Sequence, residues 1–143
     1  MNKQERRILV VGDIHAPFEL KEYLQFCKDT YANYNCNQVL FIGDIIDNHY
    51  ASFHTSDPDG MGGGDELDLA IEMIKDWSIA FPVADVMIGN HDRIIMRKAF
   101  DGQIPARWIK DYNEVLGTNW SWLESVVYDN VLYEHGEGGQ ALT

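Results

Sequence analysis

The sequence is poor in four things, and each scarcity removes a class of explanation. Cysteine occurs only at Cys27 and Cys36, with no CxxC spacing and no closer pair, so neither a thiolate zinc site nor a dithiol redox centre is encoded. Cys27 falls on an apolar helical stripe and reads as a buried, reduced thiol. Proline is scarce, with 4 residues against 12 glycines, which excludes collagen-like and disordered compositions. No apolar run approaches membrane-spanning length, and the opening MNKQERRILVVG passes from charge straight into a short strand-like run, unlike a signal peptide. Basic residues number 11 against 23 acidic ones, a formal net charge of -12. That balance argues against a broad phosphate-gripping surface for nucleic acid, because such surfaces neutralise phosphates with Lys and Arg. It leaves room for a small acidic pocket filled by divalent cations, which reverse the local sign. What remains is a chain of 143 residues, 45% hydrophobic, expected to form one domain over residues 1–143 with a sizeable core. The expected setting is soluble and cytoplasmic, the host cytoplasm if the gene is viral, with no membrane involvement.

Ile8-Leu9-Val10-Val11 is a short β-branched run ending in Gly12-Asp13, the pattern of a buried strand. Leu20, Tyr23, Leu24, Cys27 and Tyr31 follow the helical repeat. Val39 to Ile42 is a second apolar run, again closed by Gly-Asp, and a polar, Gly-rich loop covers about Asn48 to Gly64. Leu67, Ala70, Ile71, Ile74, Trp77 and Phe81 mark a second amphipathic helix, and Val83 to Ile88 a third strand ending in Gly89-Asn90. Strand–helix alternation implies right-handed crossovers and a parallel sheet, so the three Gly-containing ends share the edge where ligands bind in open α/β sheets. Ile94 to Glu124 is less regular, with one or two helices. Val126–Tyr128 and Val131–Glu134 flank Asp129-Asn130 as a hairpin, whose second strand delivers His135.

Asp13-Ile14-His15, Gly43-Asp44-Ile45-Ile46-Asp47, Gly89-Asn90-His91-Asp92 and His135-Gly136 therefore all fall just beyond expected strands. Turn chemistry accounts for Gly89 and Asn90 but asks for neither His91 nor Asp92. Carboxylate, imidazole and amide oxygen suit hard to borderline divalent metals such as Mn, Fe or Zn, and the lack of thiolates speaks against a closed structural zinc site. One carboxylate can bridge two ions about 3.5–4 Å apart, an arrangement that clamps a phosphoryl group.

With these motifs in order, the chain resembles the calcineurin-like metallophosphoesterases, whose pattern runs D-x-H, GD-x-x-D, GNH-[DE], H and GH-x-H. The resemblance covers nearly the whole chain, and DIHAPF, GDIIDNHYASFH and DPDG…GDEL are most similar to small phage or bacterial members. It implies an α/β fold of the αββα sandwich type and hydrolysis of phosphomonoesters or phosphodiesters by a two-metal, bridging-hydroxide mechanism. Two divalent ions are implied, Mn²⁺ foremost, with Fe, Zn and Ni as alternatives. Asp13 and His15 would bind the first ion, Asp44 would bridge, and Asn90 and His135 would bind the second. His91 would stay off the metal and protonate the leaving oxygen, with Asp92 holding its imidazole in the required tautomer; Asp47 would accept a hydrogen bond that orients a ligand.

The closing GH-x-H is missing. The only histidines are His15, His49, His54, His91 and His135, and the terminal GEGGQALT resembles a glycine turn leading into the start of a helix. The expectation is an incomplete C-terminus, and the competing reading is a catalytically silent binding module on the same fold. His49 and His54 are placed for substrate contact or plain solvent exposure. Arg93, Arg97 and Lys98 could grip phosphate, or form a solvated helix face. Asn48-His49 stands where the protein Ser/Thr phosphatase branch carries Arg-Gly, and GNHD replaces its GNHE. The substrate expected is therefore a phosphate ester, a nucleotide or nucleic-acid phosphodiester foremost, and a short gene product or one completed by a partner chain is the alternative to a fragment.

Overall fold

The structure, a computed structural model, describes residues 4–136. β1 (Ile8–Val11) leads through α1 (Tyr23–Asn33) to β2 (Gln38–Phe41), and α2 (Gly63–Ala80) carries the chain on to β3 (Asp85–Met87). β1 pairs with β2 from Ile8↔Gln38 to Val11↔Phe41, and β2 with β3 at Leu40↔Asp85 and Phe41↔Val86, all parallel. The result is mixed α/β, with helices packed on a parallel sheet as the alternating pattern requires.

The stretch expected to be irregular holds one more strand. After α3 (Ile94–Asp101), a 3₁₀ turn at Ala106–Trp108 and α4 (Tyr112–Leu116), β4 (Ser121–Leu123) joins β3 in parallel and completes the order β1-β2-β3-β4. Three residues of Ser-Trp-Leu carry no β-branched run, so periodicity could not announce it. α4 itself is well signed: Asp111 accepts from the Glu114 N–H as N-cap, and Gly117 closes the helix at φ +68°.

Side chains alternate along each strand. Leu9, Val11, Val39, Phe41 and Val86 join Cys27 of α1, Ala70, Ile74 and Trp77 of α2, and Leu116 of α4 in one buried cluster. Trp77 meets Phe41 and Tyr23 edge-on, and removing so large a buried ring typically costs about 3–5 kcal/mol. Burial pushes the Cys27 thiol up to about 11, in keeping with an inert core residue.

β5 (Ser125–Tyr128) and β6 (Val131–Glu134) form a separate antiparallel hairpin, turned at Asp129 and Asn130, both at positive φ as a type I′ turn demands. The hairpin is fastened to the parallel sheet by Tyr128 Oη, which donates to Asp85, and by His135 Nδ1, 2.9 Å from the Ile42 carbonyl. The helix start expected from GEGGQALT lies outside the described residues. Among those residues, no helix is long and apolar enough to cross a membrane.

Candidate metal centre

Parallel register sets the C-terminal ends of β1, β2 and β3 side by side, and the loops that leave them interlock. Ile14 and His15 donate their backbone N–H to the Asp44 carbonyl at 3.1 and 2.8 Å, and Ala16 bridges in parallel to Ile46. His15 and Asp44 adopt left-handed φ values of +53° and +51°, a conformation that costs an L-residue roughly 1–2 kcal/mol and turns both side chains into the same space. Two glycines make room. A Cβ on Gly43, itself at φ +113°, would lie 2.5 Å from His135 Nδ1, and one on Gly89 would collide with the Asp44 carboxylate.

The two outer imidazoles are held in the same way. His15 Nδ1 lies 2.8 Å from Asp47 Oδ1, which leaves Nε2 facing Asp44 Oδ2 at 3.5 Å and Asp13 Oδ2 at 3.6 Å. His135 Nδ1 donates to the Ile42 carbonyl, and its Nε2 faces Asn90 Oδ1 at 2.8 Å and Asp44 Oδ2 at 3.4 Å. A ring that donates from Nδ1 keeps its lone pair on Nε2. Each lone pair therefore points at oxygen acceptors. A divalent cation reconciles such a set, and tying the far nitrogen back is how metal-binding imidazoles are oriented. Asp44, 3% exposed, is common to both sides; its other oxygen accepts the His91 N–H at 2.9 Å.

Potential ligand atoms within 4.8 Å of one another fall into two groups, His15–Asp44–His91 and Asp13–Asp44–His135. The division differs from the expected one. His91 stands within ligand distance of the first group, edge-on to the His15 ring at 4.6 Å, and Asp13 groups with His135.

The expected pairing of Asp92 with the His91 ring is corrected. Asp92 is fully buried, and its carboxylate accepts four backbone N–H groups: Ile45 (3.0 Å) and Ile46 (3.3 Å) on Oδ1, Asp44 (2.9 Å) and Gly89 (2.8 Å) on Oδ2. With both oxygens engaged it braces the loop after β2 against the loop after β3. Consecutive residues leaving a turn point apart, so neighbours in sequence need not meet in space. Burial pushes the carboxyl up to about 6, and the backbone N–H donors pull against that shift. The His91 ring is gripped instead by the Asp47 carbonyl, 2.5 Å from Nδ1, and the His91 carbonyl accepts from Asn48 Nδ2 at 2.9 Å.

Of the remaining candidates, His49 is exposed, with Nδ1 3.9 Å from Asp47 Oδ2, so it stands against the carboxylate that His15 and His91 also face. His54 is exposed, and its backbone N–H donates to Ser52 Oγ at 3.4 Å. Arg93 pairs with Glu124 and donates to the Ile88 carbonyl, while Arg97 and Lys98 lie over the Phe53 ring at 4.7 and 5.3 Å. Sequence reasoning missed Asn48, Glu66, whose carboxylate takes the N–H groups of His49 and Tyr50, and Tyr112, whose hydroxyl donates to the Asp92 carbonyl. The only advance signal was for Asn48, an amide beside Gly-Asp-x-x-Asp. Glu66 looks like any acid in a helix's first turn.

A family model described as calcineurin-like phosphoesterase matches residues 6–140. No curated protein and no solved structure matches the chain.

Proposed function

Because the chain belongs to the calcineurin-like phosphoesterase family, we propose that it hydrolyses phosphate esters with two divalent cations at this sheet edge, Mn²⁺ before Fe, Zn or Ni. Asp13, His15, Asp44, Asn90 and His135 would hold the ions, with Asp44 common to both groups of potential ligands. One observation carries the reading: Asp44 Oδ2 lies 3.5 Å from His15 Nε2 and 3.4 Å from His135 Nε2, so a single carboxylate oxygen serves two imidazoles that are both tied back at Nδ1. Cations bound there supply Lewis-acid polarisation of the phosphoryl group and acidify water.

The chain's own residues do the rest. Donation from His91 Nδ1 to the Asp47 carbonyl leaves Nε2 on the open side of the ring, and the imidazolium, protonated on both nitrogens, would deliver its Nε2 proton to the leaving oxygen. The Asp47 carbonyl thus takes the orienting role first expected of Asp92. Asn48 is spent on the His91 carbonyl and brings no cation to the site, which supports diesters, nucleotide ones included, over phosphoprotein.

Titrating Mn²⁺ while following nitrophenolate release from bis(4-nitrophenyl) phosphate and from 4-nitrophenyl phosphate tests the reading. Saturable, chelator-reversible turnover that favours the diester is expected. Ion binding without turnover on either ester would make the chain a silent binding module, and no ion binding would remove the metal centre altogether.

A further inference from the structure

Glu66 is a buried carboxylate that the scheme above leaves unused. It sits in the first turn of α2, 6% exposed, and spends its oxygens on consecutive backbone N–H groups: Oε1 on His49 at 2.7 Å and Oε2 on Tyr50 at 2.9 Å. A carboxylate is costly to bury unless it is hydrogen-bonded, and here its partners belong to the loop that leaves the metal centre. That loop is held residue by residue. Asp47 meets His15 through Oδ1 and His91 through its carbonyl, Asn48 grips the His91 carbonyl, and Glu66 holds the next two.

The Tyr50 ring lies against Gly63 at the start of α2. Beneath this stretch lies a cavity of about 430 Å³, lined by Tyr50, Ala51, Glu66, Leu67, Ala70 and Met96 among others. Farther along, the loop is tied by Lys98 Nζ to the Ser52 carbonyl at 3.4 Å, by the two cations over Phe53, and by Ser56 Oγ to the Tyr50 carbonyl at 3.4 Å. With the backbone clamped and the cavity below, the His49 side chain is the free part, 52% exposed, beside Asp47 and edge-on to Phe18 at 6.3 Å.

We propose that Glu66 is a positioning residue: by clamping the N–H groups of His49 and Tyr50 it stations the His49 imidazole at the mouth of the metal centre, where it meets the ester's phosphate oxygens. The proposal rests on the phosphoesterase reading for the substrate and on the clamp alone for the geometry. Glu66 then governs substrate affinity and leaves the chemical step alone. A Gln in its place turns an NH₂ donor toward one of the two N–H groups and breaks half the clamp.

The test compares wild type, Glu66→Gln, His49→Ala and the double variant, each loaded with Mn²⁺ for turnover and with diamagnetic Zn²⁺ for the magnetic-resonance readouts. Two readouts need no turnover: hydrogen exchange at the His49 and Tyr50 amides, and the ring resonances of His49. Glu66→Gln is expected to speed exchange at one or both amides about tenfold or more and to move the His49 ring signals, with Mn²⁺ affinity by calorimetry unchanged. On bis(4-nitrophenyl) phosphate it should raise KM as His49→Ala does, with kcat nearly constant, and the double variant should be no worse than His49→Ala. KM losses that multiply in the double variant, or unchanged exchange and ring signals, would overturn the proposal. Should Glu66→Gln not fold, Glu66→Asp, which keeps both acceptors on a shorter stem, takes its place. A wild type that binds Mn²⁺ but turns nothing over would count against the phosphoesterase reading, and the exchange and ring signals would still decide the clamp.

Discussion

Replacing Asn48 separates a hydrogen bond from a backbone conformation. Its side chain donates to the His91 carbonyl at 2.9 Å, and its backbone sits at φ +51°, in the left-handed region. Losing the bond costs about 1 kcal/mol. Alanine adds the left-handed penalty of roughly 1–2 kcal/mol that asparagine largely escapes, so Asn48→Ala should destabilise by about 2–3 kcal/mol. Glycine carries no such penalty but loosens the unfolded chain by about 0.4–1 kcal/mol, so Asn48→Gly should cost about 1.5–2 kcal/mol. The order is the reverse of the usual one, in which glycine is the worse replacement by roughly 0.5–1 kcal/mol. Urea denaturation of the three proteins measures it, and a thermal scan should repeat it at about 3 °C per kcal/mol for a chain of 143 residues. Both variants free the His91 carbonyl and so should slow turnover alike, although they differ in stability. Glycine as damaging as alanine would refute the conformational argument, and an alanine variant as stable as wild type would refute the bond as well.

Asp44→Asn should weaken Mn²⁺ binding more than Asp13→Asn, because only Asp44 serves both sides; equal losses by calorimetry would reassign the bridge. His91→Asn should leave Mn²⁺ affinity nearly unchanged while slowing esters with poor leaving groups by about 10²–10⁴-fold, and nitrophenyl esters far less. Loss of the ion along with activity would make His91 a ligand of the first group. Glu19 carries a buried oxygen with no hydrogen-bond partner among the described residues, and burial, then the nearby Asp76 charge, push its carboxyl from 4.5 up to about 7. A carboxyl raised in the folded state stabilises the fold below its unfolded value, and that contribution is lost as pH rises through about 7. Glu19→Gln should therefore melt higher than wild type at pH 8, with the difference closing toward pH 4.5; a gap that widens on acidification would contradict this.

The parallel strands that were legible in the sequence were those where an apolar run stops at glycine, as at Gly12, Gly43 and Gly89, and the hairpin was legible from the runs flanking Asp129-Asn130; β4 has neither signal and was not. The gathering of Asp13, His15, Asp44 and Asn90 was legible for the same reason, since parallel strands must bring their ends to one edge; His135 arrives from the antiparallel hairpin, which that rule does not place. What Asp92 and Glu66 do was illegible. Both bond to backbone N–H groups, which every residue possesses and no sequence pattern marks. The grip on His91 was hidden likewise, because a carbonyl of Asp47 performs it and the Asp47 side chain turns to His15.

His135 reaches the centre from β6, in a hairpin that does not belong to the parallel sheet, across 93 residues from the Ile42 carbonyl that orients it. A cation shared between its Nε2 and Asp44 would rivet one layer to the other. The ion would then be part of the protein's architecture as well as of its chemistry: thermal resistance should climb with free metal concentration by the mass-action rule, and a chelator should loosen the hairpin before it disturbs the β1–β2 pairing.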